Sequence, residues 1–373
     1  MFAPAASGGG PLRYLEEGLP SIAQAWGDPV VVALPAQSVH LLAPAAGDNV
    51  EVVSLTGSGR GGRAGHLLRS QLHALRLYRE YRPAVTYCLG NTSYVGPLAP
   101  SVTLVQNAAR RRDLEHPQPE LALYLRMVAI SIGVSTLRSR RLIAVSNYTK
   151  SLVPTRRGRR RTEVVHHGVR PFLPSPGVSQ SADTQRVTVA GSIYSYKGIE
   201  LAIEAIAKSS GRRWELRLAG PVMEPPYAAY LRDLANERGV GEQVRWLGAL
   251  EHDQLLSEVS TTDVFLMVSR AEACPNVLLE AAIVRPDRVI LGVRFPWNDE
   301  YQDLFDARCP SNELHRLLDE AALQSPPSVV ERRREAIAGY SWERTAARTV
   351  AVLRAAAGLE GHDERRRQPG AAH

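Results

Sequence analysis

Cysteine is scarce in this chain: Cys88, Cys274 and Cys309 are the whole complement of 373 residues, far apart and with no C-x-x-C pair. Neither a disulfide framework nor a zinc site is signalled, since no histidine cluster stands at ligand spacing, and a reducing compartment is the natural home. No apolar run is long enough to span a bilayer, and Met1 to Pro20 lacks a basic segment followed by an apolar one. The expectation is a cytoplasmic protein, neither secreted nor integral. Aromatic residues are few, at 6%, and the hydrophobic 44% is carried largely by Ala, Val and Leu. That balance fits an α/β protein with buried parallel strands and argues against disorder.

What is present is length and positive charge. The chain is too long to organise around one core, so two domains are expected. A formal net charge of +7 favours an anionic partner: nucleic acid, a lipid surface or a phosphorylated small molecule. Nucleic acid is not expected, because there is no zinc finger, no RNA-recognition motif and no aromatic residue interleaved in the arginine runs.

Short apolar runs alternate with stretches of helical period, the pattern of βαβ units, and the pattern occurs twice. In the first half strands are expected at Val30–Leu34, Val50–Leu55, Ala84–Leu89, Val102–Gln106 and Leu142–Val145, with a helix at His66–Tyr81. In the second half they are expected at Arg186–Ala190, Leu216–Ala219, Val244–Leu247, Val264–Val268 and Val289–Leu291, separated by helices at Gly198–Lys208, Tyr227–Arg238 and Asp253–Val259. The Pro- and Ser-rich stretch after Arg170 reads as a linker. The division is therefore an N-terminal domain over 1–170, a linker over 171–184, and a C-terminal domain over 185–340. A helix over 341–358 should pack back toward the N-terminal domain, followed by a disordered tail over 359–373. Met1-Phe-Ala-Pro leaves little room for a first strand before the helical Leu12–Ala25; either that strand is very short or the true start lies upstream.

Three segments can carry chemistry. Gly8-Gly9-Gly10 before a helix allows a tight turn and presents helix N-terminal amides to an anion, though a plain turn is an equal reading. Ala190-Gly-Ser-Ile-Tyr-Ser-Tyr-Lys197-Gly198 follows a strand and opens a helix, so Lys197 stands where strand ends face a ligand crevice and can neutralise a diphosphate; a solvated lysine is the plainer alternative. Glu272-Ala-Cys-Pro-Asn-Val-Leu-Leu-Glu280 follows the strand at Val264–Val268. Pro275 suits a first helical turn, Asn276 and Val277 would offer free amides to a phosphate, and the two carboxylates suit sugar hydroxyls. The alternative is that Glu272 caps the helix and Glu280 faces water.

The segment Val268-Ser-Arg-Ala-Glu-Ala-Cys-Pro-Asn-Val-Leu-Leu-Glu-Ala281 resembles the E-x7-E segment of retaining glycosyltransferase family 4. Ile143-Ala-Val-Ser-Asn-Tyr-Thr-Lys150, Val165-His-His-Gly-Val169, Leu218-Ala-Gly-Pro221, Trp246-Leu-Gly-Ala249 and Tyr340-Ser-Trp-Glu343 resemble further family segments in the same order. The resemblance implies a GT-B fold: two Rossmann-like, doubly wound parallel-sheet domains facing a central cleft. It implies a hexosyltransferase using a nucleotide-sugar donor, retaining the anomeric configuration, with a glycan or lipid-linked acceptor in surface polysaccharide or glycolipid biosynthesis. By the same resemblance Glu272 contacts the donor sugar, Glu280 the ribose, the Pro275–Val277 backbone the sugar or diphosphate, and Lys197 the diphosphate. The Gly9–Gly10 loop faces the leaving phosphate, and no metal or other cofactor is needed.

Three departures stand against the family pattern. Ser192 replaces an arginine of the diphosphate clamp. Leu104-Val-Gln-Asn107 offers Gln106 or Asn107, on the acceptor side, where many relatives carry a histidine. Val284-Arg-Pro-Asp-Arg288 replaces a glycine-containing turn. They keep open a non-transferase relative, such as a nucleotide-sugar epimerase or a degenerate nucleotide-sugar-binding protein. Arginine clusters at 110–112, 138–141 and 156–161 accompany the apolar Leu121–Ser135, with Tyr124 and Arg126 embedded. Together they suit peripheral contact with an anionic membrane, while a buried core helix ringed by solvated arginines is the plainer reading.

Overall fold

The computed structural model describes residues 1–3, 9–42, 47–55, 63–93, 100–106, 119–170 and 184–359. Apart from Thr184 and Leu359, the expected linker and tail lie outside the described residues. The chain divides into two compact units, one of Met1–Asn107, Arg126–Gly168 and Ser341–His373, the other of Ala108–Leu125 and Val169–Tyr340.

The first unit opens with α1 (Gly9–Trp26), followed by β1 (Val30–Pro35), α2 (Ala36–Leu42), β2 (Val50–Leu55) and α3 (Arg63–Tyr81). It continues with β3 (Thr86–Cys88), β4 (Ser101–Val105), α4 (Pro119–Arg138, of which this unit holds the part from Arg126 on), β5 (Arg141–Ala144), α5 (Asn147–Ser151), α6 (Arg156–Arg160) and β6 (Thr162–Val164). All strand pairs are parallel, β1 with β2 and β3 through β6 in sequence order. One residue joins these two sets: Phe2 bridges Ala33 and Cys88, donating its N–H to Tyr87 O (2.8 Å) and accepting from Leu89 N–H (3.0 Å). The first strand is thus reduced to a single bridging residue. The order β2, β1, Phe2, β3 onward is that of a doubly wound sheet, reversing between Phe2 and β3.

The C-terminal helix Trp342–Ala357 belongs to this unit. Ser341 Oγ caps it by accepting from Arg344 N–H (3.2 Å), and the Trp342 indole donates to Glu17 of α1 (3.1 Å). Two glycines make room for that indole and its backbone: a Cβ on Gly18 would lie 2.8 Å from indole Cε3, and one on Gly168 would lie 2.6 Å from Trp342 Cα.

The second unit runs β7 (Gln185–Ala190), α7 (Ile199–Lys208), β8 (Trp214–Ala219), α8 (Pro225–Glu237), β9 (Val244–Gly248), α9 (His252–Thr261) and β10 (Val264–Met267). It ends with α10 (Asn276–Val284), β11 (Val289–Val293), β12 (Ala307–Cys309), α11 (Leu314–Glu320) and α12 (Pro327–Ile337). Its parallel six-stranded sheet has the order β12-β11-β10-β7-β8-β9, again doubly wound and reversing between β7 and β10. Val187, Leu216, Leu266 and Leu291 fill the sheet's core against Ile203, Ile206 and Leu231 of the helices. The turn that replaces a glycine after α10 is held by charge: Arg285 pairs with Asp287 (3.0 Å), and the fully buried Arg333 donates to Pro286 O (2.6 Å), Arg288 O (2.8 Å) and Asp306 (2.6 Å). Among the described residues no helix is long and apolar enough to cross a membrane.

Candidate functional site

In a doubly wound sheet a crevice opens beyond the carboxyl ends of the two strands where the order reverses. In the second unit those strands are β7 and β10, and the segments holding Lys197 and Glu272 leave precisely these two ends.

The first segment is shaped by glycine. Beyond β7 the backbone keeps pairing with the chain after β8, through Gly191 N–H to Ala219 O (2.8 Å) and Ile193 N–H to Pro221 O (2.9 Å). Gly191 and Gly220 have φ of +128° and +154°, a region that side chains avoid, and a Cβ on Gly220 would sit 3.1 Å from Ser192 N. Ser192 therefore follows a backbone crossing too close for any side chain. The chain turns through a short 3-10 helix, Ser195–Lys197, whose first amide donates to the buried Glu224 carboxylate (2.8 Å). Gly198, at φ +64°, then starts α7, and a Cβ there would meet an Arg270 guanidinium nitrogen at 2.8 Å.

The second segment is clamped from several sides. Arg270 N–H donates to Tyr196 O (2.9 Å), and the buried Trp297 indole donates to Ser269 O (2.7 Å). The Arg270 guanidinium pairs with the buried Glu200 of α7, which also accepts the Tyr227 hydroxyl. Burial and the Glu200 charge beside it push the Tyr227 hydroxyl pKa upward. Tyr301, pushed well up by burial and by Cys274 beside it, packs between Trp297 (6.2 Å between ring centres) and Tyr340 (6.0 Å).

These supports bring the two charged groups together. Lys197 Nζ donates to Glu272 Oε1 at 2.6 Å, with side-chain exposures of 15% and 14%. Such shielding makes a charge-assisted bond stronger than its surface counterpart. Gly191 lies opposite, where a Cβ would be 3.3 Å from Lys197 Nζ. Glu272 thus does not serve as the cap of α10; Pro275 occupies the N-cap position without a side-chain bond. Nor does Glu280 face water, since it is only 4% exposed on the second turn of α10. One expectation is corrected here: the Asn276 amide is not free but donates to Cys274 O (2.9 Å). Val277 keeps an amide with no partner among the described residues, and the Asn276 side-chain oxygen is shielded without a hydrogen bond. Shielded polar atoms left unpaired are costly and mark a place where a polar ligand can supply the missing bond.

The remaining sequence candidates lie in the first unit. Gly9 and Gly10 are not a loop but the first two residues of α1, while Gly8 and Asn107 lie outside the described residues. Gln106 ends β4, its N–H donating to Asn91 Oδ1 (2.8 Å), and both polar atoms of its side-chain amide are shielded without a partner. Asn91, at φ +71°, is fixed in turn by Ser135 Oγ, which donates to Asn91 O (3.0 Å). Among the described residues no cluster of His, Cys, Asp and Glu has the geometry of a metal site.

Sequence reasoning did not single out Arg270, Glu200 or Asn91. Arg270 was visible inside the Glu272 segment, and Glu200 as an acid in the first turn of a helix, but their pairing joins residues 70 positions apart and has no local signature.

Comparison with known proteins adds the following. Residues 177–285, which include Lys197, Glu272 and Glu280, match the family model described as glycosyl transferases group 1. No curated protein sequence matches the chain. Among solved structures, the fold is similar to that of WaaG, a glycosyltransferase involved in lipopolysaccharide biosynthesis (15% identity, 95% of this chain and 98% of that one, TM-score 0.67). It is similar to Anabaena HepE in complex with UDP and glucose (16% identity, 94% and 97%, TM-score 0.65) and to sucrose-phosphate synthase from Thermosynechococcus elongatus (16% identity, 95% and 98%, TM-score 0.68). The fold is therefore GT-B, and the sequence resemblance to group 1 glycosyltransferases holds.

Proposed function

We propose, for a GT-B chain whose second unit carries the group 1 glycosyltransferase segment, that the protein moves a hexosyl unit from a nucleoside-diphosphate sugar to a hydroxyl of a glycan or lipid-linked acceptor. The observation that carries this reading is the shielded Lys197–Glu272 pair at the switch point of the second sheet, beside the N-terminus of α10.

A donor entering that crevice exchanges the internal pair for two external ones. Lys197 and the Val277 amide meet the diphosphate, and Glu272 accepts hydrogen bonds from sugar hydroxyls. Pro275 and Asn276 border the same groups, and the buried Glu280 takes the ribose hydroxyls. Ser192, in place of an arginine, offers the diphosphate a hydroxyl rather than a charge. In the transfer the bond from the anomeric carbon to the diphosphate breaks and its electron pair leaves on the diphosphate, the acceptor oxygen bonds to that carbon with retained configuration, and the acceptor's hydroxyl proton passes to the departing phosphate oxygen. Lys197 and the α10 N-terminus offset the charge that develops, so no metal is assigned a role. Gln106 is assigned to the acceptor, and Gly9 and Gly10, at the N-terminus of α1, to the leaving phosphate. Surface polysaccharide or glycolipid is the product class, by analogy with the lipopolysaccharide enzyme above.

The test is a thermal-shift screen against UDP, GDP, ADP and TDP, followed by turnover of the matching sugar nucleotides with an acceptor extract. HepE was solved with UDP and glucose, so UDP-glucose is the first donor to try. A ligand at a hundredfold excess over its Kd stabilises by about 2.7 kcal/mol, a rise of several degrees. Free nucleotide with a glycosylated product supports transfer. An altered free sugar nucleotide would make the protein an epimerase, and binding without turnover a degenerate binding protein.

A further inference from the structure

The turn that carries Lys197 is held at both ends by the first turn of α8. At its start the Ser195 N–H donates to the Glu224 carboxylate (2.8 Å), and at its end the Ile199 N–H donates to the Tyr227 hydroxyl (2.9 Å). Lys197 stands between the two. Glu224 and Tyr227 are 6% and 5% exposed, so bulk water does not compete strongly for either bond. Tyr227 in turn donates to Glu200, whose ion pair with Arg270 reaches the Glu272 segment.

The sequence of α8 frees Glu224 for this contact. Glu224 is the N-cap residue, from which a side chain ordinarily accepts an amide of the first turn. Pro225 and Pro226 fill the first two helical positions and have no N–H, and the Tyr227 N–H goes to Glu224 O (3.1 Å). The carboxylate therefore makes no capping bond to its own helix and is turned to Ser195 instead. Among the described residues no cation pairs with it, and its second oxygen is shielded without a hydrogen bond. A buried carboxylate so sparsely compensated costs stability even at the positive end of α8. What it supplies is a fixed acceptor for the Ser195 amide. That matters here because Ser192 stands where an arginine would, so Lys197 meets a diphosphate without that arginine's help and the direction of one ammonium decides the contact.

We infer that Glu224 and Tyr227 are positioning residues for donor binding: from the first turn of α8 they fix the turn from Ser195 to Ile199, and so the direction in which Lys197 meets a nucleoside diphosphate. This role rests on the donor reading above.

The test is a double-mutant cycle on nucleotide affinity, by titration calorimetry of the full chain with whichever of UDP, GDP, ADP and TDP binds the wild type. Glu224→Ala should weaken that affinity about fivefold and Tyr227→Phe about threefold, the range for one lost hydrogen bond. Glu224→Gln keeps an oxygen for the Ser195 amide and should stay within about twofold of the wild type. With Lys197→Ala already in place, Glu224→Ala and Tyr227→Phe should each add less than about twofold, because their effect passes through the ammonium that is gone. Damage to the fold would instead weaken binding equally in both backgrounds. Unchanged affinity in Glu224→Ala or Tyr227→Phe, no rescue by Glu224→Gln, or the same further loss without Lys197 would overturn the positioning role and leave the donor reading standing. A wild type that binds none of the four nucleotides would overturn both.

Discussion

The carboxyl ends of the two sheets are built from different material. At the switch point of the second unit, Gly198 lets two loops approach closely, Gly191 and Gly220 hold one of them against the chain after β8, and a shielded lysine–glutamate pair joins the two loops. At the corresponding edge of the first unit the groups among the described residues are neutral: Asn91, Gln106 and the serines around them, in a sheet whose first strand is one residue. Among the described residues, one edge has fixed charges suited to a phosphorylated ligand; the other offers amides and hydroxyls suited to an uncharged one.

The sharpest way to break this contrast is to remove charge from the second edge. Glu272→Ala should lower transfer by about 10²–10³-fold with the melting temperature little changed, the size expected when one positioned polar group is lost from a reacting centre. Full activity would remove Glu272 from the site. Lys197→Ala should act mainly on binding, weakening nucleotide affinity roughly tenfold by titration calorimetry, about 1.4 kcal/mol. Gln106→Leu should leave nucleotide affinity untouched and raise the acceptor KM.

Glycine probes compare the frames. Gly220→Ala places a Cβ 2.5 Å from the Gly191 carbonyl carbon at φ +154°, and Gly168→Ala places one 2.6 Å from Trp342 Cα. Each should destabilise its own unit by about 1–3 kcal/mol in denaturant. Only Gly220→Ala should also weaken nucleotide binding, since it displaces the loop that carries Lys197. Equal loss of binding in both would mean that the two frames are not separate. The smallest effect is chemical. Cys274 is partly exposed beside Pro275, whereas Cys88 is buried and the buried Cys309 thiol is pushed up to about 11 by desolvation. Iodoacetamide at pH 8 should label Cys274 first, by peptide mass, and bound nucleotide should slow it severalfold.

Much of the fold was legible because each central strand carries its own apolar run. Val50–Leu55 is found as expected, and Val264–Val268 differs by one residue. β6 and β12 were missed because each is a three-residue edge strand, specified by the neighbour it pairs with and not by its own sequence. Likewise Lys197 and Glu272 were readable singly, each after a strand, while their union depends on β7 and β10 being adjacent, which only the strand order reveals. For α4 the sequence left a surface-facing helix and a buried core helix both open; Ile132 is buried while Ile130 and Leu137 are exposed. A helix apolar all round reads as buried, and sequence alone does not say which side the sheet takes.

The Lys197–Glu272 pair also bears on turnover. On the proposed reading the empty crevice carries its own counterion, so a bare anion such as phosphate must displace Glu272 while bringing nothing for it to accept. Only a ligand with both phosphate and hydroxyls compensates each partner. After the sugar departs, Glu272 is again free to reclaim Lys197, competing with the spent nucleotide and hastening its exit. The same contact would then serve both as a filter at entry and as a lever at release.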